Sequence, residues 1–316
     1  MKNKKLSAFV VPVYIYDEKQ LSFLEETIVG MLNQSDDMWE AIFINDNSEC
    51  VGVEELLKKY KKIDSRIHSI LLNKRISTGN CRNMGIEWAN QNSAEIILYN
   101  DADDISHKRR VETVKRIFDE EKDCVVVYSG FEVIDESNKK VPFKNLATPI
   151  QEVIEAVERY HPEGDRCWIK FGLYTGYTNI TSSTAVRTKL AKLEPFPDEY
   201  VSEDMHTWLR YALYGSFRYD SSIPTQYRIP SYANRQTSNQ YVNDFNATKV
   251  RVDENGFSKT LDLAVEKKII TEENKVFLKL GFLLRLSQSM LEVERIDLAI
   301  PLIERVKCNL NMLLPD

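Results

Sequence analysis

The sequence predicts an α/β protein built on a mainly parallel sheet with helices on both faces. Three observations lead there. Short apolar runs alternate with stretches of helical apolar spacing along the first 130 residues, and alternation of that kind makes parallel sheets. Apolar residues make up 43% of the chain, enough for a core that buries a sheet on both sides. The unusual polar residues fall just beyond the apolar runs, where open α/β sheets bind ligands.

The elements follow in chain order. Ala8 to Tyr14 is an apolar strand. Lys19 to Asn33 has helical spacing, with Leu21, Leu24, Ile28 and Leu32 on one face. Glu40 to Ile44 is a second strand, Val53 to Tyr60 a helix, and Arg66 to Leu72 a third strand. Gly79 to Gln91 is helical through Met84, Ile86, Trp88 and Ala89. Glu95 to Asn100 is a fourth strand, His107 to Glu121 a helix, and Cys124 to Tyr128 a fifth strand. Tyr160 to Tyr177, rich in aromatics, glycine and charge, suggests a loop or lid. Asn179 to Val186 has the look of a hydroxyl-rich strand. Ser202 to Tyr214 predicts a helix with Ser202 as N-cap. Residues 224–240 are polar, and the last 75 residues are mostly helical. There, Phe277, Leu280, Leu284 and Leu291 define one apolar face, and Ala299, Leu302, Ile303, Val306 and Leu310 another. Both are expected to pack on each other and on the core.

Bulk properties exclude some functions. A net charge of −6 disfavours a nucleic-acid binder, which usually carries a basic face. Cys50, Cys81, Cys124, Cys167 and Cys308 are scattered and lack a Cys-x-x-Cys pair, which argues against a disulfide framework or structural zinc and for a reducing, cytoplasmic location. His68, His107, His161 and His206 show no metal-ligand spacing. The basic start, Met1 to Lys5, precedes an apolar run too short for a signal peptide. Val276 to Leu286, the most apolar stretch, is interrupted by Lys279 and Arg285, so no membrane span is expected.

The most informative stretch is Tyr99-Asn100-Asp101-Ala102-Asp103-Asp104. Three carboxylates sit where a buried strand stops. Like charges repel and lose solvation when crowded, and a hard divalent cation carrying phosphate would offset that cost. An acidic turn with Asp104 capping the next helix is the plainer alternative. Other pieces line up before and after it: Val10-Val11-Pro12-Val13-Tyr14, Ile44-Asn45-Asp46-Asn47-Ser48, Gly79-Asn80-Cys81-Arg82-Asn83-Met84-Gly85 and Val201-Ser202-Glu203-Asp204.

This ordered set resembles the inverting glycosyltransferases of family 2, which have the GT-A fold, over about residues 6–230. The resemblance implies a Rossmann-like GT-A domain over 1–235, its nucleotide-sugar half about 1–130 and its acceptor half about 131–235, followed by a C-terminal helical extension over 236–316. It implies transfer of a sugar from a nucleotide-diphosphate sugar, a UDP-sugar by preference, to an acceptor hydroxyl. Pro12 and Tyr14 would line the donor site. Asp46 would accept a nucleobase N–H, although an Asx turn after a strand uses the same residue. Arg82 would lie near base and diphosphate, its guanidinium offering a fork to phosphate or carbonyl oxygens, although an exposed helix arginine is the bland reading. Cys81 would be a small packed residue.

By the same resemblance, Asp101 contacts the ribose and Asp103 holds Mn²⁺ or Mg²⁺ on the diphosphate. Asp204 is the general base, with Glu203 orienting its surroundings; acids in a first helical turn also favour the helix dipole. One departure stands out. Where many relatives have Arg-x-His, this chain has Arg228-Ile229-Pro230, leaving the metal one protein ligand. Arg228 and Arg235 are either diphosphate grips or solvated loop charges. The acceptor, a glycan, lipid-linked sugar or protein side chain, would meet the Tyr174–Tyr177 region and the helical tail. That tail also allows oligomerisation or peripheral membrane contact. Two other readings remain: a nucleotidyltransferase that makes the activated sugar, disfavoured because Pro12 to Gln20 lacks a glycine-rich phosphate loop, and a nucleotide-sugar binding module without turnover.

Overall fold

The computed structural model describes residues 5–146, 148–229 and 243–313. Its centre is a seven-stranded sheet of order β3-β2-β1-β4-β7-β5-β8. The strands are β1 (Ser7–Val13), β2 (Trp39–Asn45), β3 (Ile67–Leu71), β4 (Ile96–Tyr99), β5 (Cys124–Tyr128), β6 (Phe131–Ile134), β7 (Thr184–Arg187), β8 (Ser216–Tyr219) and β9 (Thr225–Arg228). Within the large sheet only β7 runs antiparallel to its neighbours, β4 and β5. Strands β6 and β9 form a separate parallel pair. The mixed, mainly parallel α/β architecture expected from the sequence is therefore present, and the five strands expected in the first 130 residues lie where the apolar runs put them.

Alternate residues of β1 enter two different cores. Phe9, Val11 and Val13 face Leu24, Ile28, Val53, Val111 and Phe118 on one side of the sheet, which belong to α1 (Glu18–Leu32), α2 (Gly52–Ile63) and α4 (Arg110–Glu120). Ala8 and Val10 join Ile86, Trp168, Leu190 and Trp208 on the other, from α3 (Thr78–Gln91), α6 (Cys167–Lys170), α7 (Thr188–Leu193) and α8 (Glu203–Tyr211). A strand buried on both faces has no polar side to show, which is why these runs are so uniformly apolar. Helix α5 (Thr148–Tyr160) lies in the connection from β6 to β7. Helices α9 (Phe245–Glu266), α10 (Glu272–Glu292) and α11 (Ile296–Leu313) follow, and Phe257, Leu261, Phe282, Leu286 and Val306 complete the second core. None of the described helices is long and apolar enough to cross a membrane.

Two features position the crevice. The chain runs β1, β2, β3 outward and then returns to place β4 on the other side of β1, so the topological switch falls between the carboxyl ends of β1 and β4. Pro12 is tolerated there because β4 pairs with β1 only as far as Val10, so a missing N–H on that side breaks no ladder bond. Helix α3 starts with Ser77 Oγ accepting the Asn80 N–H at 3.2 Å. It lies so close to β1 that a Cβ on Gly85 would stand 2.4 Å from Val10 Cγ1.

Four expectations are corrected. Tyr160 to Tyr177 is no lid: Cys167, Trp168 and Phe171 are buried, and a short α-helix runs into a π-helical turn over Phe171–Thr175. Trp168 and Phe171 are core residues whose spacing is irregular because the helix is, while Tyr160 and Tyr174 are exposed. Asn179 to Val186 divides into a 3-10 turn, Thr181–Ser183, and β7. Ser202 does not cap α8 with its side chain; its backbone is left-handed at φ 57° and its hydroxyl donates to Asp253 Oδ1 at 2.5 Å. The buried face of α10 is Leu280, Leu283, Leu286 and Met290, while Phe277, Leu284 and Leu291 are exposed; on α11, Ala299, Leu302 and Val306 are buried and Ile303 and Leu310 are not. Helices apolar on more than one side leave the inward face ambiguous in sequence.

Helix α9 packs against α8 through Gly256, where a Cβ would meet His206 Cα at 2.8 Å. Burial, with Arg210 and Lys259 adding repulsion, pushes the His206 imidazole down to about 3. A histidine held neutral in the fold stabilises it above the unfolded-state pKa and loses that contribution as pH falls through 6.5 towards 3. Acidification from pH 6.5 to 4.5 should therefore cost about 2 kcal/mol through this side chain alone. Urea unfolding of the His206→Leu variant should show a correspondingly flatter pH dependence.

Candidate active site

The expected polar site residues come from two strand ends and the first turns of two helices. Asp46 follows β2, Arg82 lies one turn into α3, Asp101 and Asp103 follow β4, and Glu203 and Asp204 open α8. Arg82 joins them. It is 3% exposed. Its Nη2 donates to Asp101 Oδ1 at 2.9 Å, and its Nη1 donates to Glu203 Oε1. The guanidinium fork thus faces two carboxylates, and Nε is buried without a hydrogen-bond partner. Burial raises the Glu203 carboxyl to about 7, with Arg82 opposing the shift.

Asp204 turns the other way. Its Oδ2 accepts hydrogen bonds from the Tyr177 hydroxyl at 2.6 Å and from Thr181 Oγ1 at 3.0 Å. It opens on a cavity of about 370 Å³ lined by Arg82, Asp101, Glu203, Tyr177, Tyr200, Tyr227 and Phe131, with Ile150 and Val153 from α5 and Phe245 and Lys249 from α9. The Tyr227 hydroxyl is pushed up by burial and then by Asp104, Asp103, Asp101 and Asp204, so one phenol faces the acids of both motifs.

The acidic turn is anchored by its backbone. Asn100 Nδ2 donates to the carbonyls of Asp101 and Asp104 at 2.8 and 3.0 Å, Thr27 Oγ1 donates to those of Ala102 and Asp104 at 3.0 Å each, and the Asp101 N–H donates to Ser182 Oγ at 2.8 Å. Arg110, fully buried, donates to Tyr99 O at 2.9 Å and Asn100 Oδ1 at 3.2 Å. Asp104 does not cap a helix: its Oδ1 accepts the Arg228 N–H at 2.8 Å, while Oδ2 is buried without a partner. Arg228 is neither a diphosphate grip nor a solvated charge. Its guanidinium donates to Asp103 O at 2.9 Å, Asp135 O at 3.0 Å, Asn138 Oδ1 at 2.7 Å and Glu26 Oε2 at 2.6 Å. Arg235 lies outside the described residues.

Asp46 forms a second cluster beside Cys81. Its Oδ2 accepts from Arg75 Nε at 2.9 Å and its Oδ1 from the Ile76 N–H at 2.7 Å. Burial raises its carboxyl despite both bonds. Arg75 stacks on Tyr14, 3.2 Å from the ring centroid, and Tyr14 donates to Glu49 Oε1 at 2.7 Å. Cys81 is a packed thiol pushed up to about 12 by burial and by Asp46. Tyr200, which lines the cavity, also feels Asp46 and Arg75, so the two clusters adjoin.

Sequence reasoning missed Arg75, Arg110, Thr181 and Tyr227. Arg110 ends the run His107-Lys108-Arg109-Arg110, where one buried cation hides among exposed ones. Arg75 carried no pattern of its own. Thr181 and Tyr227 sit in segments whose periodicity is too short to read.

Asp103 fits a hard divalent cation that takes most of its ligands from phosphate and water. Burial and the neighbouring Asp101 charge lift its carboxyl to about 6, a crowding that a cation would relieve. Among the described residues no cluster of three or more His, Cys, Asp or Glu side chains could hold an ion without such help.

The glycosyl transferase family 2 sequence model matches residues 9–177. The chain belongs to glycosyltransferase family 2. It is 25% identical over 236 residues to the glycosyltransferase MJ1057 of Methanocaldococcus jannaschii, covering 73% of each chain. It is 27% identical over 155 residues to the putative teichuronic acid biosynthesis glycosyltransferase TuaG of Bacillus subtilis, covering 49% of this chain and 54% of that one. Among solved structures, TarS 1–349 of S. aureus in complex with UDP-GlcNAc superposes with a TM-score of 0.56 at 15% identity over 97% of this chain and 92% of that one. The mannosyltransferase PcManGT of Pyrobaculum calidifontis, with GDP-Man and Mn²⁺, gives 0.52 at 12% identity over 98% and 81%. These neighbours share the GT-A fold, and family membership makes the chain a glycosyltransferase rather than a nucleotidyltransferase.

A test of the network at the family 2 site follows from its burial. Arg82→Met leaves Glu203 charged, buried and unpaired, and should cost about 3–5 kcal/mol. Adding Glu203→Gln should recover most of that loss in urea unfolding; equal losses for the single and double variants would contradict the pairing.

Proposed function

We propose that this glycosyltransferase transfers a hexose-type sugar, with inversion, from a nucleotide-diphosphate sugar to an acceptor hydroxyl. One observation carries the reading: the buried Arg82 ion-pairs with both Asp101 and Glu203, and Asp204, adjacent to Glu203, opens on the cavity. The nucleotide lies over the carboxyl ends of β1, β2 and β4. Asp46 accepts a base N–H beside the Tyr14–Arg75 stack, which suits uracil, with Pro12 and Tyr14 as walls. Asp101 meets the ribose and is held for it by Arg82. A divalent cation on Asp103, Mn²⁺ or Mg²⁺, would neutralise charge on the diphosphate leaving group.

The acceptor enters the aromatic-lined cavity. Its hydroxyl oxygen bonds to the anomeric carbon and gives its proton to Asp204, while the bond to the diphosphate breaks with its electron pair leaving on the nucleotide. A single displacement inverts the anomeric centre. Retention by double displacement needs a second carboxylate as nucleophile, and Glu203 is already committed to Arg82. Support for a nucleotide-sugar donor comes from the fold neighbours solved with UDP-GlcNAc and with GDP-Man and Mn²⁺.

The test is a thermal-shift panel of nucleotide sugars with and without Mn²⁺, since a true donor raises the melting temperature by linkage, followed by transfer assays. Asp204→Asn should retain the donor shift and lose about 10²–10⁴ in kcat. Asp103→Ala should lose the Mn²⁺-dependent part of the shift. Wild-type transfer by Asp204→Asn would overturn the base assignment, and an unchanged metal-dependent shift in Asp103→Ala would overturn the ligand assignment.

A further inference from the structure

The base oxygen that would take the acceptor's proton is already occupied. A carboxylate oxygen presents two in-plane lone pairs. On Asp204 Oδ2 both face protein hydroxyls, Tyr177 at 2.6 Å and Thr181 at 3.0 Å. The other oxygen, Oδ1, is turned to the Met205 N–H at 2.7 Å, and Met205 is buried away from the cavity, whereas both partners of Oδ2 line it; Oδ2 is the oxygen on the cavity side. An acceptor hydroxyl therefore reaches Oδ2 only by displacing one of its two neighbours.

The two differ in how firmly they are held. Thr181 is 4% exposed and opens the 3-10 turn Thr181–Ser183. Ser182, next to it, takes the Asp101 N–H on its hydroxyl and the Thr225 hydroxyl on its carbonyl at 3.0 Å. Moving Thr181 would disturb the acidic turn itself. Both residues line the cavity, but Tyr177 is anchored differently. It follows Gly176, which has φ 66° and ends the π-helical turn, a joint where backbone rotation needs no Cβ to move.

We infer that the Tyr177 hydroxyl is a stand-in for the acceptor hydroxyl, holding Asp204 until an acceptor displaces it and so keeping water from the base. This rests on the assignment of Asp204 as base. In the side reaction it suppresses, a water oxygen bonds to the anomeric carbon, the sugar–diphosphate bond breaks with its electron pair leaving on the nucleotide, and the water proton passes to Asp204. Tyr177 thus sets specificity for acceptor over water without touching the sugar donor.

Tyr177→Phe keeps the ring and removes only the hydroxyl. With the donor and Mn²⁺ but no acceptor, its hydrolysis rate should rise about 2- to 12-fold, the range one hydroxyl hydrogen bond supplies. With acceptor, KM for the acceptor should fall while donor Kd stays at the wild-type value. On an Asp204→Asn background the same change should have no effect on hydrolysis. Melting temperature and donor shift confirm that the variant is folded. Wild-type hydrolysis in folded Tyr177→Phe would overturn the inference. So would loss of transfer with no gain in hydrolysis, which would make the phenol a proton relay. If instead Asp204→Asn transfers normally, the base assignment itself has failed.

Discussion

A buried arginine between two carboxylates is the constraint on which this site depends. A guanidinium removed from water needs its charge answered at close range, and Arg82 has Asp101 on one side and Glu203 on the other. Asp101 belongs to the turn after β4 proposed to meet the donor, whereas Glu203 begins the helix that carries the proposed base. One side chain thus fixes the distance between two segments separated by a hundred residues of chain. The ion pair contributes little net stability against an apolar replacement. Its value is positional, because a planar fork accepts two partners in only one geometry.

Around that arginine the fold supplies a rigid frame. The acidic turn hangs from its own backbone, with Asn100, Thr27, Arg110 and Arg228 all bonding main-chain groups. Asp101 is left facing the crevice, while Asp104 is buried beneath it. On the opposite wall, α8 is backed by α9: Ser202 bonds Asp253, and Arg251 grips Glu199 at 2.6 and 2.7 Å. The last three helices share a core with the sheet, and α9 contributes Phe245 and Lys249 to the cavity. Of the three, α9 shapes one wall of the cavity.

Much of the frame was legible in sequence. The first five strands and four helices followed from apolar runs and 3.6-residue spacing, because strands buried on both faces have few alternatives. The crevice followed from topology, since polar residues after β2 and β4 had to converge. Other parts were not legible. Strands β6, β8 and β9 are four residues each, too short for a period. The aromatic run before Tyr177 resembled a surface loop because its burial comes from an irregular helix. Arg82 was recognisable by its motif, but its partners were not, since Glu203 lies 121 residues away and only the fold brings them together. Arg228 stayed open between a diphosphate grip and a loop charge for the same reason.

The Arg82→Lys variant tests this account most directly. Lysine keeps the charge and the buried stem but offers a point donor in place of a planar fork, so it cannot hold Asp101 and Glu203 at once in the same geometry. Donor affinity by calorimetry and single-turnover transfer should both weaken in a protein that still folds. Wild-type values for both would show that the two carboxylates keep their places without the fork, and would contradict the claim that Arg82 joins the donor turn to the base helix.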